Sequence, residues 1–281
     1  IYMNIGIVGL GLIGGTYAKS LREYPYTIYG IDINQETIDY ALENNIIDFG
    51  TITPKNVLKE LDVVFICLYP KDAVEFVRKH IMSFKRGAII SDVVGIKRKM
   101  IDAFDMYKED EVEFVYSHPI AGREKIGIEY SDKAIFHNAN FVITPTKENT
   151  SEGLGLIQVL AAQMGFKNIT MIPDVEHDEI ISYTSQLTHA IAISLVNSND
   201  DKYDTKLFIG DSYKDLTRIA MINENLWSEL FLNNKDFLLK KINAFQSELD
   251  KVKLALTTKD SNALKELMKS STLKRGSIND K

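Results

Sequence analysis

With one cysteine, one tryptophan, six prolines and five histidines in 281 residues, this chain has few means of being stapled, kinked or metal-loaded. A single cysteine excludes an intramolecular disulfide. Cys67 lies in the apolar run Val63-Val64-Phe65-Ile66-Cys67-Leu68, which marks it as a small core residue rather than a nucleophile. The five histidines (His80, His118, His137, His177 and His189) show no ligand spacing, so no metal is expected. Positive charge is not in excess: 33 Lys and Arg stand against 39 Asp and Glu, a net charge of −6, and no nucleic-acid partner is expected. No apolar run reaches the ~18–20 residues that span a bilayer, so no membrane association is expected. From Met3 the chain enters its first apolar segment directly, leaving no room for a signal peptide, and the expectation is a cytoplasmic protein.

What is present begins with a glycine pattern. Ile5-Gly6-Ile7-Val8 reads as a buried strand, and Gly9-Leu10-Gly11-Leu12-Ile13-Gly14 follows it directly. Thr16-Tyr17-Ala18-Lys19-Ser20-Leu21 then reads as a helix, and a second strand-like run, Thr27-Ile28-Tyr29-Gly30-Ile31, ends at Asp32. Strand, Gly-x-Gly-x-x-Gly, helix, strand and acid together form the dinucleotide-binding fingerprint. Gly9 permits the tight turn, Gly11 leaves the pyrophosphate unobstructed, and Gly14 lets helix and strand approach closely. The helix N-terminus offers N–H groups to the phosphates, and Asp32 would accept from the ribose hydroxyls. A carboxylate there repels a 2′-phosphate, and Ile33-Asn34-Gln35-Glu36 supplies no basic residue, so the expected cofactor is NAD rather than NADP.

Strand and helix patterns alternate through the first part of the chain: helices over residues 35–44 and 72–82, strands over 63–68, 87–92, 112–117 and 140–145. This predicts an α/β fold with a Rossmann-type doubly wound parallel sheet, whose ligand lies outside the carboxyl ends of the strands. After Pro173 the pattern becomes helical, with an uninterrupted helix over 174–197 and further helices over 213–223, 226–232, 237–256 and 262–270. Two domains are expected: a cofactor-binding domain over 1–172, and an all-helical domain over 173–281 whose surplus apolar surface suits a homodimer.

Among the scarce histidines, His118 stands out in Ser117-His118-Pro119-Ile120-Ala121-Gly122, at a strand end facing the cofactor crevice. A histidine there could take the hydroxyl proton as hydride leaves carbon, or it could simply cap the loop. His189, on the apolar helix over 174–197, reads equally as core or pocket residue, whereas His177, near the start of that helix, reads as core. Arg218, among apolar residues in Asp215-Leu216-Thr217-Arg218-Ile219-Ala220, needs an anion: an internal carboxylate such as Asp215 or Glu224, or a substrate carboxylate.

Taken with Gly15, Gln186-Leu187-Thr188-His189 and Trp227, these segments resemble the prephenate dehydrogenases of tyrosine biosynthesis, a family grouped with the arogenate dehydrogenases. The resemblance runs from Met3 to at least Asn234. It implies NAD-dependent oxidative decarboxylation of prephenate to 4-hydroxyphenylpyruvate, with His118 as the catalytic histidine on the ring hydroxyl and Arg218 on a substrate carboxylate. It further implies that His189 lines the same pocket, that Glu124 and Trp227 stand near its mouth, and that the protein is a dimer without the mutase or regulatory domain some relatives carry. In one place the chain departs from the family. Where the family has Gly-Ser-x-Lys, this chain has Asp92-Val93-Val94-Gly95-Ile96-Lys97, so Gly95 takes the place of a serine that contacts the catalytic histidine. Ser117 is the remaining hydroxyl near His118 and is counted with the substrate-binding residues. The alternatives are a dehydrogenase of the same architecture acting on arogenate or another hydroxy acid, and a non-catalytic NAD-sensing dimer.

Overall fold

Six short apolar segments pair in parallel to form the sheet that the amino-terminal alternation predicts. The computed structural model describes residues 2–107, 111–123, 125–200 and 202–279. Strands β1 (Met3–Val8), β2 (Tyr26–Ile31), β3 (Phe49–Thr51), β4 (Val63–Ile66), β5 (Ile89–Asp92) and β6 (Glu113–Phe114) lie in the order β3-β2-β1-β4-β5-β6. Helices α1 (Leu12–Leu21), α2 (Gln35–Glu43), α3 (Lys55–Leu58), α4 (Pro70–His80) and α5 (Arg98–Phe104) form the connections. Strand alternation sorts the apolar side chains into two cores. Ile5, Ile7, Val63 and Phe65 face one, and Val8, Val64, Ile66 and Ile90 face the other. Burying each such side chain contributes about 1.5–3 kcal/mol. Strand order reverses between β1 and β4, and there the carboxyl ends of the strands open a crevice.

Later strands correct the expectation of a single sheet. Of residues 112–117 and 140–145, only Glu113 and Phe114 join the parallel sheet. β7 (Tyr116–Ile120), β8 (Asn140–Thr144) and β9 (Asn168–Met171) form a second sheet, with β7 and β8 antiparallel and β8 and β9 parallel. Val115 N makes the last bond to the first sheet, donating to Ile90 O at 2.9 Å. Pro119, which has no N–H, is then tolerated because β7 is an edge strand. β9, largely exposed and without an apolar run, gave no strand signal. It follows α6 (Ser151–Gln163), capped by the Thr150 hydroxyl, which accepts from Gly153 N.

Helices follow: α7 (Asp174–Ile181), α8 (Leu187–Asn197), α9 (Asp211–Thr217), α10 (Glu224–Asn233), α11 (Lys235–Thr257) and α12 (Ser261–Asn279). The helix expected over 174–197 is not uniform. Ser182–Gln186, between α7 and α8, is a π-helical turn, the kind of extra-residue bulge that re-aims side chains at functional sites. α9 stops earlier than expected, and Arg218–Ala220 tightens into a 3₁₀ turn. The chain divides into two compact units, Ile1–Asn234, which holds both sheets and α1–α10, and Lys235–Lys281, which holds α11 and α12. Among the described residues, no helix is long and apolar enough to cross a membrane, and no cluster of His, Cys, Asp or Glu could hold a metal ion.

Candidate active site

The glycine turn between β1 and α1 has the shape a pyrophosphate needs. Gly9 has φ +87°, and a Cβ there would stand 2.6 Å from the carbonyl oxygen of Cys67. A Cβ on Gly14 would fall 1.9 Å from the carbonyl oxygen of Gly9, so both positions require glycine. At Gly11 nothing lies within 4 Å: the space is open, and α1 begins there without a side-chain cap, presenting its N–H groups. Leu10 is buried and contributes its backbone, its N–H donating to Asp32 Oδ2 at 2.7 Å, while Asp32 Oδ1 accepts from Asn34 N at 2.9 Å. Each carboxylate oxygen keeps a further acceptor site for a ribose hydroxyl. Gly11, Leu12, Ile13 and Gly14 line the crevice itself.

The crevice has a volume of about 1220 Å³, and its opposite wall is helical. His118 and Gly95 stand on the sheet side. Gln186 and His189, from the π turn and α8, and Trp227 and Leu230, from α10, stand across from them. His189 is therefore a pocket residue. Its Nδ1–H donates to Ser185 O at 2.9 Å, and its ring stacks on Trp227 with centroids 3.6 Å apart. Arg218 is exposed on its 3₁₀ turn rather than set among apolar side chains, and it is its successors, residues 219–223, that reach the crevice lining. Ser117 corrects an expectation. Strand alternation turns it away from His118, into full burial, where its hydroxyl donates to Asp92 O at 2.8 Å and meets Ser91 Oγ at 2.9 Å. Its side chain is not part of the crevice lining, and its hydroxyl faces away from the position of the family serine. Glu124 lies outside the described residues. Cys67 packs against the core, as expected, and also borders the crevice; burial pushes its thiol far above the ordinary range.

His118 is set among groups that the sequence did not bring together. Its Nδ1 is 2.9 Å from His177 Nε2, and His177 Nδ1 is 2.8 Å from Asp178 Oδ1. His177 is thus buried, as read, but it is no passive core residue. Asp178 Oδ1 also accepts from Lys97 N at 2.7 Å, and Oδ2 accepts from Arg98 N at 3.0 Å. Lys97, fully buried, donates from Nζ to Asp92 Oδ2 at 2.5 Å and to Ser117 O at 2.6 Å. Burial, the neighbouring His177 and the Lys97 ammonium hold His118 well below the usual histidine value. Burial also lowers His177, against the pull of Asp178. Burial alone would raise Asp178, but hydrogen bonds from His177 and from the Lys97 and Arg98 backbone bring it below the ordinary carboxylate value. At neutral pH the cluster is therefore neutral His118, neutral His177 and ionised Asp178. On the other side of the ring, a Cβ on Gly95 would stand 3.5 Å from His118 Nε2, so residue 95 does face His118, as the family pattern implies.

A dinucleotide cradle, a neutral histidine at its edge and a helical wall opposite define a Rossmann-type dehydrogenase. Comparison with known proteins narrows the class. The family descriptions "Prephenate dehydrogenase, nucleotide-binding domain" and "Prephenate dehydrogenase, dimerization domain" match residues 17–170 and 173–270. The chain is 29% identical over 268 residues to the prephenate dehydrogenase of Bacillus subtilis (strain 168), covering 93% of this chain and 72% of that one. It is 27% identical over 279 residues to the cyclohexadienyl dehydrogenase of Zymomonas mobilis, covering 96% and 94%. The solved structure of prephenate dehydrogenase from A. aeolicus, in complex with hydroxyphenyl propionate and NAD+, superposes with a TM-score of 0.90 at 31% identity over 98% of both chains. This chain belongs to the prephenate dehydrogenase family. It is an NAD-dependent oxidoreductase.

Proposed function

We propose that the chain oxidises prephenate to 4-hydroxyphenylpyruvate and carbon dioxide, with His118 as the base. One observation carries this reading: His118, held neutral by burial first and then by His177 and Lys97, stands at the edge of the dinucleotide crevice, with Nε2 on the side of Gly95. Bound NAD would accept hydride from the ring carbon that bears the hydroxyl. Gly9, Gly11 and Gly14 would hold its pyrophosphate at the N-terminus of α1, and Asp32 would hold a ribose. His118 takes the hydroxyl proton as the carbonyl forms. The ring carboxylate then leaves as carbon dioxide, its bonding pair completes the aromatic ring, and the former carbonyl oxygen, now phenolate, takes back the proton from His118. Arg218, next in sequence to the crevice-lining Ile219, binds a substrate carboxylate, and His189 stacked on Trp227 forms the wall against which the ring lies. Positioning of this kind can be worth about 7–11 kcal/mol of barrier. Residues 1–172 serve as the cofactor domain and 173–281 as the substrate and dimerisation domain, a division supported by the two family matches.

NADH formation with prephenate and with arogenate, each offered with NAD and NADP, tests the proposal. Turnover of prephenate with NAD supports it. Turnover of arogenate alone would move the substrate to the amino analogue, and no turnover of either would return the chain to a binding role.

A further inference from the structure

The chain of contacts behind His118 has a direction, and the direction fixes which ring nitrogen holds the lone pair. Asp178 can only accept, and its two oxygens do so from Lys97 N, Arg98 N, Arg98 Nε at 3.2 Å, and His177 Nδ1. His177 therefore carries its proton on Nδ1 and offers Nε2 as an acceptor. His118 must then donate from Nδ1, and its lone pair lies on Nε2, on the crevice side. The opposite arrangement would put the His177 Nδ1 lone pair against Asp178 Oδ1 at 2.8 Å in a buried site, acceptor facing acceptor.

Asp178 is itself locked. Arg98 Nη2 donates to Asn234 Oδ1 at 3.1 Å, and Asn234 Nδ2 donates to Asp178 O at 2.9 Å and to Gln186 Oε1 at 2.8 Å. Asn234 is fully buried, so the last turn of α10, the π turn and the start of α5 are tied together behind the relay. We infer that His177 and Asp178 are positioning residues: they hold His118 as the Nδ1–H tautomer with Nε2 open to substrate, from the side of the ring opposite Gly95. The family-type serine at residue 95 is then not needed to orient this base. The charged groups facing the relay are Asp178 and Arg98 at one end and the Lys97–Asp92 pair beside it, so a proton gained by His118 is answered by the Asp178 carboxylate rather than by solvent. The inference deepens the reading of His118 as base, and two separate measurements keep the two apart.

The first needs no activity. Long-range ¹H–¹⁵N correlation spectra of the intact protein, with His118→Asn used to assign the ring, report which nitrogen of His118 is protonated at pH 7.5. A protonated Nδ1 and a bare Nε2 are expected, and a protonated Nε2 would overturn the inference whatever the enzyme oxidises. The second is kinetic. Gln at position 177 can still accept from His118 Nδ1, whereas Ala cannot. His177→Gln should therefore keep more than a tenth of kcat, while His177→Ala and Asp178→Asn should lose about 10²-fold or more, with KM for prephenate within threefold and NAD affinity unchanged. Equal losses in the Gln and Ala variants would sink the relay. An active His118→Asn would sink the base assignment and leave the tautomer result standing.

Discussion

Gly11→Ala isolates the cofactor cradle from the stability of the fold. An added Cβ at Gly11 meets nothing within 4 Å, and its backbone (φ −79°, ψ −158°) lies in the extended region open to alanine. The variant should therefore fold, with stability within about 1 kcal/mol of the parent. The new methyl stands in the open space beside the N-terminus of α1, where it pushes an anion away from the N–H groups. Each charge-assisted hydrogen bond so lost is worth about 1.5–3 kcal/mol. Loss of one to two of them weakens NAD binding by roughly 10- to 10⁴-fold, at about 1.4 kcal/mol per tenfold. Calorimetric titration with NAD measures this directly. Gly14→Ala is the contrasting control: its Cβ would fall 1.9 Å from Gly9 O, well inside the 3.0 Å that real Cβ atoms keep, so the turn must open and both Tm and affinity should drop. If Gly11→Ala bound NAD within twofold of the parent, the phosphates would lie elsewhere and the cradle would be wrongly placed.

Other consequences follow from the buried charges. His118 acts only when neutral and titrates below its ordinary value, so kcat/KM should hold its plateau below pH ~6.5 and fall only in more acidic solution; a midpoint at or above 6.5 would contradict the burial. His118 and His177 are both lowered in the fold, so the unfolded chain takes up protons first. The stability tied to them is complete above pH ~6.5 and is lost as pH falls from there toward their folded values, and Tm should drop between pH 7 and 5. Lys97→Met strands Asp92 in the core, with Oδ1 already lacking a protein partner, and should cost about 3–5 kcal/mol in urea denaturation; a cost under 1 kcal/mol would mean the pair is dispensable. Arg218→Ala should raise KM for prephenate by at least tenfold while leaving kcat within threefold, and an unchanged KM would remove Arg218 from the site.

The cofactor half was legible because its requirements are local. Gly9, Gly11, Gly14 and Asp32 lie within 24 residues, and each glycine answers a need of the turn itself: the positive φ at Gly9, the open space at Gly11 and the approach of Gly14 to Gly9 O. The exchange of strands at residue 115 was not legible, since residues 112–117 read as one strand and only three-dimensional pairing divides them. His177 is buried, as read, but its link to His118 was not legible, for a similar reason. Its partner His118 is 59 positions away, and burial of a histidine near a helix start looks the same from sequence whether the ring packs passively or bridges two polar groups. The adjacent Asp178 was the available signal: a His-Asp pair ahead of a helix that later lines the crevice. The π turn at Ser182–Gln186, which helps aim Gln186 and His189, leaves no mark in composition. Arg218 showed the opposite error, because apolar neighbours in sequence did not make it buried in space.

Turnover of His118→Asn tests the central claim most directly. With prephenate and NAD at saturation, kcat should fall by about 10²–10⁴ while calorimetry shows NAD bound as tightly as in the parent. A variant that binds NAD normally and oxidises prephenate at the parent rate would show that His118 is not the base.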